Sequence, residues 1–242
     1  MRGLKCFLTV PILLFFGACT EEPLSDVDGN QESFQEAFSE SCSDNHHPHI
    51  IDLGLSVKWM CCNVGAAYPS DNGYYFAWGE IETKEDYTWE TYRWCNGGRD
   101  KLTKYNNKSQ YGIIDNKTTL DAADDVAHFK FGGAWRISMR SEMDELISTR
   151  NNANYQWVWE SLNGHNGWLV TYLVNNNSIF LPAAGCRGNN TLSGVGSVGY
   201  YWSSSICDLP TYACALLFYN DSVSGNGVSI RSCGLSIRPV LE

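Results

Sequence analysis

Ten cysteines carry most of the potential chemistry in this 242-residue chain. Thiols can pair, hold a metal or attack a substrate, and their spacing helps to tell these uses apart. Cys61 and Cys62 are adjacent, which suits neither an ordinary disulfide nor a tetrahedral metal site. No C-x-x-C…C-x-x-C pattern occurs, and Cys186, Cys207, Cys214 and Cys233 all fall in the last quarter. The thiols are expected to be mostly free or incidentally paired, with a disulfide framework as the alternative. His46, His47 and His49 in "HHPH" offer imidazoles, but beside Pro48 they read as solvated loop rather than a metal site. Asp124-Asp125 offers carboxylates for Ca²⁺ without the further ligands such a site needs. The chain has no G-x-S-x-G, and "WSSS" (Trp202–Ser205) has no histidine after it. A Ser–His pair would need His128 or His165, so Trp202 reads as packing and the serines as backbone-bonding. No metal, cofactor or catalytic set is expected.

The elements that must position these residues begin after a leader. Arg2 and Lys5 flank the start of an apolar run, "CFLTVPILLFFGA", too short to span a bilayer. It ends in small residues directly before Cys19 and resembles a bacterial lipobox. Residues 1–18 then read as a lipoprotein signal peptide, and Cys19 as the lipidated first residue of the mature chain; a plain secretory signal cleaved after Ala18 is the alternative. Cys6 and Cys19 are thereby accounted for, leaving eight cysteines. Glu21 and Glu22 resemble the acidic export signal of gut Bacteroidota lipoproteins, which implies a lipid-anchored protein on the outer membrane, exposed at the cell surface. Residues 19–48 are acidic and Ser-rich and read as a flexible tether, with one short amphipathic helix at "QESFQEAF". Loss of Arg2 and Lys5 takes the formal charge from −10 to −12, which excludes a nucleic-acid partner because a phosphate backbone needs a basic face.

The folded unit is expected over residues 49–242. "IIDLGLSVKWMCCNVGA" predicts two short strands joined by a turn, and "DNGYYFAWGE" a strand pair opened at Asn72-Gly73. Residues 95–130 are polar and irregular, with a short helix around Leu120 to Val126. Met143, Leu146 and Ile147 form a helical stripe. Its start is poorly signalled, because Met139 sits where a capping hydroxyl would contribute about 1 kcal/mol. "YQWVW", "GWLVTYLV" and "SIFLPAAG" predict three more strands, the last two separated by an Asn-rich turn.

"DLGLSVKWMCCNVGA", "YYFAWGE", "GGAWRISMRSEMDEL", "NSIFLPAAG", "YYWSSS" and "RSCGLSIRPV", in that order, resemble the Fibrobacter succinogenes major paralogous domain family, over essentially the whole of 49–242. The resemblance implies an α+β, C-type-lectin-like fold of the formylglycine-generating-enzyme superfamily, with short twisted antiparallel strands, about two helices and long loops. It also raises the superfamily's reactive cysteine pair, for which Cys214 and Cys233 lie in the right region but outside the enzyme's surrounding pattern. Some members of the family resemble targets of diversity-generating retroelements, which rewrite adenines in a C-terminal variable segment. Here that segment is about 186–235. The family frame commonly has Tyr near Cys186 and Cys214, and one A-to-G change turns a Tyr codon into Cys.

From Ala183 to Ile230 only Arg187, Asp208 and Asp221 are charged. In "ACALLFY", Cys214, Leu216 and Phe218 alternate with Ala215, Leu217 and Tyr219, and the family pattern makes the first set the core face. Ala215, Leu217 and Tyr219 are therefore expected to point outward. In "VSGNGVSIR", Ser224, Asn226, Val228 and Ile230 share one parity. Exposed apolar groups among Tyr, Ser, Gly and Asn are the mixture of a binding surface. The expected contacts to a ligand are Tyr200, Ile206, Cys207, Asp208 and Leu209 around one turn. Leu217 and Tyr219 follow, then Asn226, Val228 and Ile230 on the next strand, and Ser232, Cys233 and Leu235 beyond it. Trp135, Trp202, Arg231, Gly234 and Arg238 are expected to be frame instead. The ligand class is a protein or glycan of another cell, phage or host. A structural or fimbrial-tip surface subunit and a formylglycine-generating-type oxidase are the alternatives.

Overall fold

A computed structural model describes residues 49–242. The leader, Cys19, the tether with its expected helix, His46 and His47 lie outside the described residues. Among the described residues no helix is long and apolar enough to cross a membrane. The chain is α+β, with twelve short strands in small sheets and two α-helices among the described residues. β1 (Ile50–Ile51) and β2 (Lys58–Met60) pair antiparallel, as their turn signal predicts. β12 (Pro239–Leu241) inserts between β2 and β3 (Trp135–Ile137), so the chain's last strand closes its first sheet. β4 (Tyr155–Leu162), β5 (His165–Tyr172) and β6 (Asn177–Pro182) form a meander in the expected order. β7 (Cys186–Gly188) pairs with β8 (Thr191–Ser193). The C-terminal sheet has β10 (Tyr212–Phe218) between β9 (Gly199–Ile206) and β11 (Val223–Ile230).

The expected strand pair after Asn72-Gly73 does not form. Gly73 takes a positive φ of 69°, but the chain then runs on extended and makes a bridge from Phe76 to Leu235. Trp202 Nε1 donates to Phe76 O and Trp78 Nε1 to Ser203 O, both at 2.8 Å, so this segment is stitched to β9 instead. The helix expected around Leu120 to Val126 starts later. A 3-10 turn covers Ala122–Asp124, and α1 spans Val126–Phe131. Asp125 sets that start by accepting from Ala127 N and His128 N, and its other oxygen accepts from Ile137 N on β3. Asp124 bonds Lys104 and the Tyr105 hydroxyl. Both carboxylates thus serve the packing of this stretch. Among the described residues no group of three or more His, Cys, Asp or Glu gathers at metal-ligating range.

α2 spans Arg140–Ser148 and buries Met143 and Leu146 as its stripe predicts. Its weak N-cap is offset from the third position, because Glu142 accepts the Met139 N–H at 2.7 Å and pairs with Arg136. The irregular stretch before it is held by side chains reaching backbone. Asp115 accepts from Tyr105 N at 2.8 Å, Asn106 N at 2.9 Å and Lys117 N at 3.2 Å. This fixes Tyr105, whose φ of 59° is unusual for a tyrosine.

Partial burial pushes the Asp115 carboxyl up, but the three N–H groups and Lys117 outweigh it and hold it below its ordinary value. Its contribution is therefore present above that ordinary value and lost as pH falls through the depressed one. Asp115→Asn is expected to cost about 1–2 kcal/mol near neutral pH. In denaturant titrations the gap between variant and native chain should narrow as pH falls through the depressed carboxyl's titration, below its ordinary range; a gap independent of pH would refute this role.

Candidate functional site

β9 and β10 are buried through their middle on both faces. Tyr201, Trp202, Ala213, Cys214, Ala215 and Leu216 are all buried. The run "ACALL" is thus a strand covered on both sides, which period-two reasoning misassigns. Ala215, expected outward, is one of the corrections. Leu217 is half-buried, while Tyr219 just past the strand end is 44% exposed.

The outward residues do not share one face. Leu217 pairs with Tyr200 on β9, whereas Val228 and Ile230 pair with Cys214 and Tyr212 and so lie on the opposite side. A bulge in β11 between the partners of Ala215 and Leu217 shifts the parity. Ser224 ends beside Leu217, while Asn226 faces α2 and accepts from Arg140 Nη2 at 2.6 Å. Two small surfaces result. One carries Tyr200, Leu217 and Tyr219, with Cys186 and Cys233 close by. The other carries Val228, 44% exposed, and half-buried Ile230, beside α2.

On the first surface the Tyr200 ring spans β10, its hydroxyl donating to Val228 O at 2.9 Å. Burial raises the Tyr200 phenol, and Cys186, Tyr219 and Cys233 raise it further. It stays a neutral donor at physiological pH. The turn between β9 and β10 is closed by a Cys207–Cys214 disulfide, which corrects the expectation for Cys207 as a contact thiol. Closing so short a loop removes about 2.5 kcal/mol of unfolded-chain entropy. Asp208 and Leu209 stand exposed at its tip.

Three other expected contacts are inside. Ile206 lies under the 118–120 loop, its N–H donating to Thr118 O at 2.9 Å. Leu235 runs as an added strand between Phe76 and β9, bonded to both sides through Leu235 and Ser236. Ser232 is buried in the turn after Arg231, its hydroxyl without a partner among the described residues.

The expected frame residues are all buried. Trp135 and Trp202 sit in the core, and the Gly234 position allows the Tyr87 ring to approach, since a Cβ there would stand 2.5 Å from it. Arg231 is wholly buried, with no carboxylate partner among the described residues. It donates to the Tyr92 hydroxyl and to the carbonyls of Tyr105, Pro210 and Lys104, and lies over the Trp78 ring. Arg238 likewise donates to Asn63, Met60, Cys61 and Phe180.

The Cys214 and Cys233 pair raised by the enzyme resemblance does not come together as a reactive site. Cys214 is bonded to Cys207 and faces Arg140, while Cys233 stands beside Tyr200 across the sheet. Burial pushes the Cys233 thiol up, with a hydrogen bond to Ser229 opposing it, which is the reverse of thiolate activation.

The sequence-based set misses a cavity of about 520 Å³ beside this surface, walled by Tyr74, Tyr75, Lys84, Glu85, Tyr87, Arg187 and Asn190. Its one sequence signal is the isolation of Arg187, the only cation between Ala183 and Ile230. No family model, curated protein or solved structure matches the chain.

Proposed function

We propose that the chain is a lipid-anchored protein of the outer membrane, displayed at the cell surface through Cys19 on an acidic tether, whose lectin-like domain binds a protein or glycan partner of another cell, phage or host. The carrying observation is a stiff support that exposes apolar groups on both of its faces and at its tip. Tyr219, Leu209 and Val228 are exposed on a three-stranded sheet whose interior is fully packed and whose tip is closed by a disulfide. Rigid aromatic anchors lose little entropy on binding, and a few such groups dominate the affinity of an interface. The variable-looking segment 186–235 supplies these groups while its Trp202 and Arg231 serve the interior, which favours diversification at the exposed positions.

A second observation bears on the fimbrial alternative. β10 is paired on both sides and the outer edge of β9 is covered by Leu235 and Ser236. The covered β9 edge favours a stand-alone receptor over a subunit awaiting a donor strand on that side, while β11 remains the sheet's outer strand.

The test is a binding screen of the chain against glycan arrays and intact bacterial and phage surfaces, beside a version with segment 186–235 exchanged for that of a related domain. The exchange is expected to abolish binding, and Tyr219→Ala to weaken it by about 2 kcal/mol. Binding that survives the exchange unchanged would remove the reading.

A further inference from the structure

β7 presents adjacent residues to opposite sides. Cys186 stands with Tyr200 on the sheet surface, while the Arg187 guanidinium enters the neighbouring cavity. Arg187 is fixed from its backbone, donating to Gly234 O at 2.8 Å and accepting from Gly234 N at 2.9 Å. Its guanidinium lies 5.4 Å from the Tyr75 ring centroid and has no hydrogen-bond or ion-pair partner among the described residues. A half-buried guanidinium whose fork makes no hydrogen bond within the fold can receive a carboxylate, since its planar geometry matches that group.

The rest of the cavity narrows the class of anion. Lys84 is engaged, donating to Glu80 at 2.9 Å and to Thr91 O at 3.1 Å. Glu85 lines the same space and repels a doubly charged phosphate, while its oxygens can accept from hydroxyl groups. The walls are set before any ligand arrives. The Tyr75 hydroxyl donates to Ala184 O and the Tyr87 hydroxyl to Tyr75 O, both at 2.6 Å, and Tyr87 pairs with Asn189 through the backbone. Tyr74 is different: it is 54% exposed at the cavity rim and offers a broad apolar ring. The volume falls within the range of about 300–1,000 Å³ typical of small-molecule sites. One free positive charge, a carboxylate and an amide that can meet hydroxyls, and an exposed aromatic ring together match a ring that carries one acid group.

We propose that this cavity binds a sugar acid, a pyranose bearing a single carboxylate, with Arg187 holding the carboxylate, Tyr74 stacking on the ring, and Glu85 and Asn190 meeting its hydroxyls. The site is separate from the sheet surface and does not depend on the partner proposed for that surface.

Calorimetric or NMR titration of the full chain with D-glucuronate tests it, with D-glucose, acetate and inorganic phosphate as comparison ligands. Glucuronate is expected to bind at least about tenfold more tightly than each of the other three, the size of one charge-assisted hydrogen bond. Arg187→Gln should remove at least about tenfold of that affinity while moving the unfolding midpoint only slightly, because the guanidinium's contact within the fold is its approach to the Tyr75 ring. Tyr74→Ala should weaken glucuronate several-fold and leave acetate unaffected. Absent glucuronate binding, equal binding of glucose, equal binding of acetate or an unchanged Arg187→Gln variant would each overturn the proposal. Loss of partner binding after a narrower exchange of residues 199–235, with Arg187 and Asn190 retained and glucuronate still bound, would separate the two sites.

Discussion

Arg231→Met is expected to destabilise the domain by at least about 4 kcal/mol, a large share of the roughly 5–15 kcal/mol that holds a domain of this kind folded. The guanidinium supplies four buried acceptors at once: the Tyr92 hydroxyl at 2.9 Å, Pro210 O at 2.9 Å, and Tyr105 O and Lys104 O at 3.1 Å. Methionine fills similar space and leaves all four without a donor, each at a desolvation cost of about 1 kcal/mol or more. The aromatic cage adds to the loss, since the cation lies 4.8 Å from the Trp78 ring centroid and 5.2 Å from that of Tyr92. Arg231→Lys should recover only part, because an ammonium cannot aim donors in the plane of a fork. Urea unfolding of both variants is the measurement, and a loss below about 1 kcal/mol for Arg231→Met would show that the cage is not anchored by this residue.

Gly185→Ala is expected to cost about 3 kcal/mol. Gly185 has a φ of 69°, where a side chain is strained. A Cβ there would stand 2.2 Å from Ser193 O and 2.9 Å from Val195 N, and backbone of a paired hairpin cannot swing aside as a flexible side chain would. The Gly185 N–H also donates to Val198 O at 2.7 Å, a bond the displacement would stretch. Because β7 follows immediately, the same substitution should shift Arg187 and weaken D-glucuronate binding, an effect that a purely local strain would not produce. Urea titration together with the ligand titration checks both parts; a variant within about 1 kcal/mol of the native chain would contradict the first.

The elements legible in the sequence are those whose order is local. The β4–β5–β6 meander follows from aromatic and β-branched runs punctuated by Asn and Gly, and α2 from its stripe. The stretch from Gly65 to Asp125 is opaque because distant groups order it. Tyr105 is fixed by Asp115, Asp121 and Arg231, and Phe76 by Leu235. No window of neighbouring residues contains those partners. The proposed binding surface is half legible for two physical reasons. β10 is covered on both faces, so alternation carries no sidedness there. The β11 bulge inserts a residue that reverses parity midway, which separates Val228 and Ile230 from Leu217 and Tyr219. Arg231 and Arg238 read as frame from the pattern of aromatics, Gly, Arg and Pro in the C-terminal segment, and both are buried, although their acceptors are drawn from five separate segments and could not be read from it.

β7 is three residues long and divides its side chains between two neighbours. Point changes at position 186 or 187 each alter one neighbour and spare the other, so the two can be tuned apart over generations. Adding or deleting one residue after Gly185 would instead turn the strand over, placing a thiol where the guanidinium was and the guanidinium against the tyrosine. Lineages carrying this segment should therefore tolerate codon replacement at these sites far better than a change in loop length.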